Sequence, residues 1–380
     1  MNVGIVTFYR SLNYGAMLQA YALWHILSGF GCNVEFVRHS HAVVGGGSLM
    51  RCFISRRFSV FLKRLRLWLQ YKVSKGTTDF AKNYPQTREL VRIEDFKREG
   101  EKYDLVVVGS DQMWNPRWVV PDFMSIVFLD FVPKRCVRIS YAVSFSVLEW
   151  GEECKDVARD LLQKMDGISV REMGGAAIVK TLSGRDAEVA LDPVLLFGAQ
   201  GFAKLANVGQ RHGKFIFKYM INGWRDELEE RDSIKYLKNK IQIHEIIDDS
   251  DDVSGWYAPF AKILKIRAKT SVPNWLARIS ECDFVVTNSF HGLLFAVLFH
   301  RPFVVFRLRG ANSEMNVRVE SMLRKIACIS RLVDVGDYSA IDKAVREKID
   351  WDNVEQQISE ARKASIMYLR KYVSVREGCI

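Results

Sequence analysis

Short apolar runs alternate with helical patterns along most of the chain, which is typical of βαβ units around a mainly parallel sheet. In the first half we predict strands at 3–8, 34–38, 105–109, 138–142, 167–170 and 189–191. In the second half we predict strands at 215–221, 244–247, 284–287 and 303–307, and helices at 273–282, 293–299 and 314–327. The pattern predicts an α/β fold with two Rossmann-like domains that face each other across a cleft.

The least periodic part of the chain, 197–213, carries four glycines and marks the predicted boundary. We expect a first domain over 1–196 and a second over 197–350. A final segment, 351–380, contains a long amphipathic pattern that predicts a helix packing back on the first domain.

Composition narrows the class of protein. The 380 residues are 48% hydrophobic, enough for two globular domains. The net charge of +11 favours anionic partners: phosphorylated metabolites, acidic lipid headgroups or nucleic acid. The seven cysteines form no CxxC pair, so neither a zinc cluster nor a disulfide framework is indicated.

No signal peptide is recognisable, and no apolar run approaches the roughly 18 residues that span a bilayer. We therefore expect a cytoplasmic protein.

One segment, 51–75, departs from the rest in charge. It contains eight basic residues, and no acidic residue occurs between 36 and 78. At helical spacing it carries one apolar stripe, formed by Phe58, Phe61, Leu62, Leu65, Trp68 and Leu69. The pattern fits an interfacial helix on an anionic membrane. The alternative is a helix that packs on the core with a solvated basic face.

A run of β-branched residues ends at Thr287 in a polar turn that contains His291. Ligands collect at the carboxyl ends of strands in open α/β sheets, and a helix predicted from Leu293 would point free N–H groups at this turn. The turn thus predicts an anion site with Ser289 and Gly292 as ligands. His291 would act as a proton donor or as a cation. The alternatives are a structural histidine and a glycine that only permits a tight turn.

Arg171 and Asp111 each follow a predicted strand of the first domain. Arg171 could bind a carboxylate or phosphate with two hydrogen bonds, or form a surface pair with Glu172 or a domain-interface salt bridge. Asp111 could accept protons from sugar hydroxyls, or cap the turn. The neighbouring Gln112, Trp114 and Asn115 suit a sugar face, with core packing as the alternative for Trp114.

The loop that contains Asn13 and Tyr14 lies between the first strand and helix, where dinucleotide-binding folds hold phosphates, so both residues are candidate substrate ligands. No GxGxxG is present, so a nicotinamide or flavin site is not indicated. A structural turn is the alternative. Asp192 and Pro193 are predicted to mark a strand exit near the hinge, without a catalytic role.

Five of these blocks follow one another in a familiar order: 13–23, 108–115, 169–172, 191–193 and 287–292. In this order the chain resembles the polysaccharide pyruvyl transferase family. The resemblance covers most of the chain. It implies an enzyme of bacterial exopolysaccharide or cell-surface polysaccharide biosynthesis that moves the enolpyruvyl unit of phosphoenolpyruvate onto two hydroxyls of a sugar. The product is a pyruvate ketal, and phosphate is released. The implied fold is similar to the GT-B glycosyltransferase architecture.

The resemblance also implies roles for particular residues. Arg171 and His291 would bind phosphoenolpyruvate, while Asp111, Gln112 and Asn115 would orient a sugar or lipid-linked acceptor. No metal or organic cofactor is implied. Part of the family has an arginine and a leucine before the histidine, whereas this chain has Ser-Phe-His-Gly. The candidates for the second cation are Arg307, Arg309 and, preferred among them, Arg318.

Two other functions stay open at this point. One is a GT-B glycosyltransferase that uses a nucleotide sugar, which the same architecture would serve. The other is a non-catalytic carbohydrate-binding protein. Nucleic acid is not an expected partner because no recognisable module is present. The acceptor sugar and the oligomeric state are not predicted.

Overall fold

The computed structural model of the protein describes residues 1–39, 58–117, 119, 121–209, 213–221, 227–251, 258–263 and 266–374. The first half contains β1 (Asn2–Val6), α1 (Tyr14–Gly29), β2 (Asn33–Phe36), α2 (Phe58–Val73), α3 (Lys75–Thr78), α4 (Ile93–Gly100), β3 (Leu105–Val108), α5 (Pro121–Val127), β4 (Val137–Ser140), α6 (Lys155–Gln163), β5 (Ser169–Val170), α7 (Met173–Ser183), β6 (Glu188–Val189) and α8 (Pro193–Ala203). The second half contains β7 (Phe215–Tyr219), α9 (Glu227–Ile241), β8 (Glu245–Asp248), β9 (Ser250–Asp251), α10 (Ala258–Ile263), β10 (Ala268–Lys269), α11 (Val272–Glu281), β11 (Phe284–Thr287), α12 (Phe290–Leu298), β12 (Phe303–Phe306), α13 (Asn316–Lys325), β13 (Leu332–Val333) and α14 (Tyr338–Arg346), and the chain then continues into α15 (Trp351–Val373).

A parallel sheet in the order β2-β1-β3-β4 forms the centre of the first half. Strand β3 is buried at every position, and its alternate residues belong to two different hydrophobic cores. Both faces are therefore covered, which explains the continuous apolar run. Isolated parallel bridges join Asp111 to Val143 and Val143 to Val170. The segments at the carboxyl ends of β3, β4 and β5 thus lie side by side.

The second half is built on a parallel sheet in the order β13-β12-β11-β7-β8. Strands β11 and β12 are buried throughout. The strand β13 and the antiparallel pair β9–β10 were not predicted from the sequence. Two parallel sheets with covering helices confirm the predicted α/β class and its two Rossmann-like domains.

The two halves share one hydrophobic core, which α1, α8, α11 and α12 line. Tyr14 in α1 stacks on Trp275 in α11 with 5.0 Å between ring centroids, and its hydroxyl donates to the carbonyl of Thr270 at 2.8 Å. Tyr14 was predicted to bind the substrate, but its ring and hydroxyl are both used in this contact. The geometry places Tyr14 in the packing between the halves.

Helix α8 connects the halves and corrects the prediction of a non-periodic stretch from 197. The helix runs on to Ala203 with a kink at Gly198, whose φ is 81°. Phe202 packs edge-to-face on Phe295 of α12 at 5.0 Å, which holds the second part of the helix. Because this stretch contains several glycines, its sequence did not indicate the aromatic packing. The predicted boundary between residues 196 and 197 falls inside the helix.

The long helix α15 crosses from the second half to the first. The hydroxyl of Tyr368 donates to the carbonyl of Ser140 at 2.9 Å, and Ser365 Oγ accepts from the backbone N–H of Leu191 at 3.0 Å. Helix α15 therefore packs against the end of β4 and the segment after β6.

Helix α2 covers part of the basic segment, whose residues 51–57 lie outside the described residues, as do the side chains of 58–64. At its other end Leu69 is buried in a small cluster with Ala261 and Ile266 of the second half. Gln70 also donates to the carbonyl of Arg267 at 2.7 Å. This end of the apolar stripe thus packs between the halves, as in the core-packing alternative. In the described part of the chain, no helix has the length and apolar character needed to cross a membrane. Membrane-surface contact stays a prediction.

Replacing Tyr14 by phenylalanine removes the hydroxyl group that donates a hydrogen bond to the carbonyl of Thr270. We expect a loss of about 1 kcal/mol in the free energy of unfolding, the usual value of one hydrogen bond, measured by urea denaturation. Tyr21→Phe is the matched control, since Tyr21 is half-buried on the same helix. Unchanged stability of Tyr14→Phe together with a lost ligand affinity would contradict the packing role.

Candidate active site

Arg171 follows β5 and lies at the junction of the halves, with a side chain only 3% exposed. Its Nη2 lies 2.9 Å from Oδ2 of Asp192 and also donates to Ser110 Oγ. Its Nε and Nη1 make no hydrogen bond with any described residue, although Nη1 lies 3.7 Å from Oδ1 of Asp111. Buried donors without a partner are costly, so this guanidinium favours an anionic ligand.

Asp192 joins Arg171 to the second half. Its Oδ1 caps α8 by accepting from the backbone N–H of Val194 at 2.9 Å, and its Oδ2 lies 3.4 Å from Nε2 of His291. Burial acts to raise the pKa of Asp192, but the charges of Arg171 and His291 outweigh it and bring the pKa down to about 2. The structure thus places this carboxylate against both principal candidates. The sequence signal, an Asp-Pro helix start, does not show what faces the second oxygen.

His291 lies in the first turn of α12, which begins at Phe290 and not at Leu293 as predicted. Its imidazole packs directly on Gly15 in the first turn of α1. A Cβ atom at Gly15 would lie 2.2 Å from both Cγ and Nδ1 of His291. Only glycine permits this approach, so Gly15 sets the distance between the two helix starts.

Ser289 and Gly292, predicted as ligands of an anion, hold the start of α12 in shape. Ser289 Oγ accepts from the backbone N–H of Gly292 at 3.3 Å, and the backbone N–H of Ser289 donates to Thr287 Oγ1 at 3.0 Å. A Cβ atom at Gly292 would lie 2.3 Å from that hydroxyl. The backbone N–H of Gly292 is therefore already bonded within the turn, and anion binding at this turn stays a prediction. The structural alternative applies to this glycine.

Phe290 brings two guanidinium groups together. Cζ of Arg171 lies 4.9 Å from the centroid of the Phe290 ring, and Cζ of Arg318 lies 5.5 Å from it. Arg318, on α13, is 4% exposed, and its Nε has no hydrogen-bond partner among the described residues. Burial, followed by the like charge of Arg171, lowers the pKa of Arg318 to about 10. Two buried cations on one ring repel each other, so an anion bound between them is favoured.

The other two candidate cations are engaged on the second half. Arg307 forms an ion pair with Glu320, and Arg309 pairs with Glu229 at 2.8 Å. Of the three arginines considered, Arg318 is the one that the structure brings to Phe290.

The block after β3 contributes Asp111, Gln112 and Asn115 to the same cluster. Asp111 is buried with a left-handed φ of 73°, and its carboxylate faces Arg171. The Gln112 amide lies 3.1 and 3.2 Å from the terminal nitrogens of Arg318, and its oxygen accepts both bonds when it is the facing atom. Asn115 is fully buried, with Nδ2 2.9 Å from the Gln112 amide. The block therefore contacts both arginines.

Trp114 and Asn13 have structural contacts. Trp114 is fully buried, stacks on Phe128 at 4.9 Å and donates from Nε1 to a backbone carbonyl at 2.9 Å. This corresponds to the core-packing alternative.

Asn13 caps α1, because its Oδ1 accepts from the backbone N–H groups of Gly15 and Ala16 at 3.0 and 3.3 Å. Two N–H groups of the predicted phosphate loop are therefore already bonded.

Ser110, which sequence reasoning did not select, is held by a buried polar network. Its backbone N–H donates to Oε1 of Gln19 at 3.1 Å, and its carbonyl accepts from Thr7 Oγ1 at 3.0 Å. Gln19 also donates to Thr7 Oγ1 at 3.0 Å. This network holds the hydroxyl of Ser110 between Arg171 and Asp192. A glutamine inside the apolar α1 was the available signal, since a buried amide needs partners.

Glu172 is a second residue that sequence reasoning assigned only to a surface pair. It is 1% exposed, and its Oε1 accepts from Ser144 Oγ at 2.8 Å and from the backbone N–H of Phe145 at 3.2 Å. Its Oε2 has no hydrogen-bond partner among the described residues. Burial raises the pKa of Glu172, although Arg171 acts in the opposite direction. The burial of Glu172 therefore excludes the surface-pair alternative.

A pocket opens beside the cluster, between the two halves. It is lined by the buried Arg171, Asp192, Phe290 and Arg318 and by the more exposed Ser321 and Lys325. In the described part of the chain, His, Cys, Asp and Glu side chains form no group of three or more that could hold a metal ion.

Two Rossmann-like domains that meet at a buried cationic cluster define a class of α/β proteins suited to a small anionic ligand between their domains. The family model for polysaccharide pyruvyl transferases matches residues 13–308, and the chain belongs to this family of transferases. The predicted resemblance is thereby confirmed. No curated protein matches the chain significantly in sequence.

Several solved structures are distantly similar. The spinosyn rhamnosyltransferase SpnG is 12% identical, with a TM-score of 0.49 over 99% of this chain and 100% of that chain. A UDP-GlcNAc 2-epimerase from Neisseria meningitidis bound to UDP-GlcNAc is 12% identical, with a TM-score of 0.48 over 98% and 100% of the two chains. The UDP-GlcNAc 2-epimerase from Methanocaldococcus jannaschii is 10% identical, with a TM-score of 0.47 over 96% and 99%. Likenesses this distant do not carry function, and the family assignment rests on the sequence match.

Replacing Gly15 by alanine should disturb His291, because the added methyl group would overlap the imidazole. We expect a loss of roughly 1–3 kcal/mol in the free energy of unfolding, as for other overpacked sites, and a displaced His291 resonance by NMR. Gly29→Ala is the matched control on the same helix, since a Cβ there meets no atom within 4 Å. Equal stability of the two variants would contradict the close approach.

Replacing Asp192 by asparagine should change how stability depends on pH. The folded pKa of about 2 lies below the usual value near 3.8, so the ionised carboxylate stabilises the fold above about pH 4 and this contribution is lost as pH falls toward 2. We expect the stability difference between wild type and variant to shrink by about 2 kcal/mol between pH 5 and pH 2, measured by urea denaturation. Asp337→Asn, at the N-cap of α14, controls for capping alone. A pH-independent difference would contradict this role of Asp192.

Proposed function

We propose that this protein transfers the enolpyruvyl unit of phosphoenolpyruvate to two hydroxyls of a sugar, forming a pyruvate ketal and releasing phosphate. The observation that carries this proposal is the pair of buried guanidinium groups, Arg171 and Arg318, on the ring of Phe290. Both retain donors without a partner among the described residues. Phosphoenolpyruvate carries a carboxylate and a phosphate on the same carbon atom, and both groups can accept hydrogen bonds from these donors.

The reaction balances without a redox partner. The methylene carbon of phosphoenolpyruvate gains a proton, and the neighbouring carbon forms bonds to two sugar oxygens while its bond to the phosphate oxygen breaks. The two hydroxyl groups lose two protons in total. One balances the proton that the methylene carbon gains, and the other leaves with phosphate. The site must therefore stabilise anions and move protons, and it must hold two hydroxyls close together.

The residues of the cluster divide between these tasks. Arg171 and Arg318 would bind the carboxylate of phosphoenolpyruvate. His291, beside the Asp192 carboxylate, would hold and transfer a proton, since histidine changes charge near neutral pH. Asp111 would accept a proton from a sugar hydroxyl, while Gln112 and Asn115 would orient the acceptor. All but Asp192 were selected from the sequence.

Replacing Arg318 by methionine should separate binding from stability. Loss of charge-assisted hydrogen bonds of about 1.5–3 kcal/mol should weaken phosphoenolpyruvate binding by roughly 10- to 100-fold in calorimetry. The free energy of unfolding should stay equal or rise, because a buried cation repelled by Arg171 is replaced by an apolar side chain. Arg309→Met is the matched control, since Arg309 pairs with Glu229 away from the cluster.

The same titration tests the alternative activity. Binding of phosphoenolpyruvate by the wild type and Arg309→Met, with loss in Arg318→Met, supports the proposal. A wild type that binds a nucleotide sugar and not phosphoenolpyruvate would overturn it in favour of a glycosyltransferase. Binding of phosphoenolpyruvate that survives in Arg318→Met would remove the observation on which the proposal rests.

A further inference from the structure

The pocket beside the arginine cluster has a second polar region on α13. Arg318, Ser321, Met322 and Lys325 all line the pocket and are spaced at i, i+3, i+4 and i+7, so they share one face of this helix. About 10 Å of helix axis separates the two ends of this row. The row therefore continues the cationic site outward from Arg318.

The two ends of the row differ in their surroundings. Arg318 is 4% exposed and lies against Phe290, whereas Lys325 is exposed at the other end. Neither Ser321 nor Lys325 has a side-chain hydrogen bond or ion pair with another described residue, so the hydroxyl and the ammonium are available to a ligand. Met322 provides an apolar surface between them. The pocket thus offers a dry end with planar donors and a wetter end with an ammonium and a hydroxyl.

These two ends match the two anionic groups of the proposed donor. A carboxylate is planar and suits the forked guanidinium groups, whereas an ammonium binds phosphate as a point charge. Phosphate is also the group that departs, and a site near solvent lets it leave. We propose that Ser321 and Lys325 form the phosphate subsite, while Arg171 and Arg318 hold the carboxylate. This assignment rests on the proposed function and adds two binding residues to it.

A purely structural role for Lys325 makes a different prediction. Lys325 is in the last turn of α13, where a cation interacts favourably with the helix dipole. Arg324 occupies the same turn, is exposed, and does not line the pocket. A dipole effect would affect stability for both residues and ligand affinity for neither. Arg324 is therefore a matched control for charge and position.

The test compares Lys325→Met, Ser321→Ala and Arg324→Met with the wild type by calorimetry. Three probes are titrated separately: phosphoenolpyruvate, inorganic phosphate, and pyruvate, which keeps the carboxylate without the phosphate. We expect Lys325→Met to weaken phosphoenolpyruvate and phosphate by roughly 10-fold or more and pyruvate by less than twofold, as expected for one charge-assisted contact. Ser321→Ala should give the same pattern with a smaller change, and Arg324→Met should bind all three probes as the wild type does.

Failure of the subsite differs from failure of the proposed function. If the wild type binds phosphoenolpyruvate and Lys325→Met binds it equally well, the subsite is wrong and the proposed function stands. If Lys325→Met weakens pyruvate as much as phosphate, or Arg324→Met matches Lys325→Met, the effect is general electrostatics and the subsite is overturned. If the wild type does not bind phosphoenolpyruvate, the proposed function fails, and the subsite assignment fails with it.

Discussion

The buried ion pair between Arg171 and Asp192 forms the part of the first half that His291 of the second half approaches. Arg171 ends a strand of the first half, Asp192 starts the helix that connects the halves, and His291 of the second half approaches the same carboxylate. Each of these groups would be costly to bury alone, since a charge in the interior needs a partner. The shape of the cleft therefore depends on keeping the three together, and the helices around them exclude water from the contact.

The surroundings of two buried carboxylates shift their pKa values in opposite directions. Asp192 has a pKa lowered to about 2 by its cationic neighbours, whereas burial raises the pKa of Glu172. Carboxylates pushed apart in this way can take different protonation states at neutral pH. Arg171 forms an ion pair with Asp192 and faces Asp111, while Arg171 and Arg318 both retain donors without a partner among the described residues.

Several residues in the blocks that resemble the family support the site without lining it. Gly15 admits the imidazole of His291, Asn13 caps the helix that carries Gly15, and Gln19 holds the backbone of Ser110. Trp114 packs in a hydrophobic core of the first half, against Phe128 and Phe145. A motif thus combines groups that touch a ligand with groups that position them, and its sequence does not distinguish the two.

The sequence by itself determined the class of fold, the family and most members of the cluster, because apolar periodicity and polar residues at strand ends are local signals. It selected Arg171, His291 and Arg318, which the structure brings close to Asp192 or Phe290, yet it gave no central position to Asp192 and considered Glu172 only as an alternative surface partner of Arg171. Only the tertiary structure decided these points, because which groups face a buried carboxylate depends on strands and helices that are far apart in the chain. The same reason applies to Tyr14 and Gly292. Their polar neighbours in the sequence suggested contact with a ligand, but in the structure both residues make contacts within the protein.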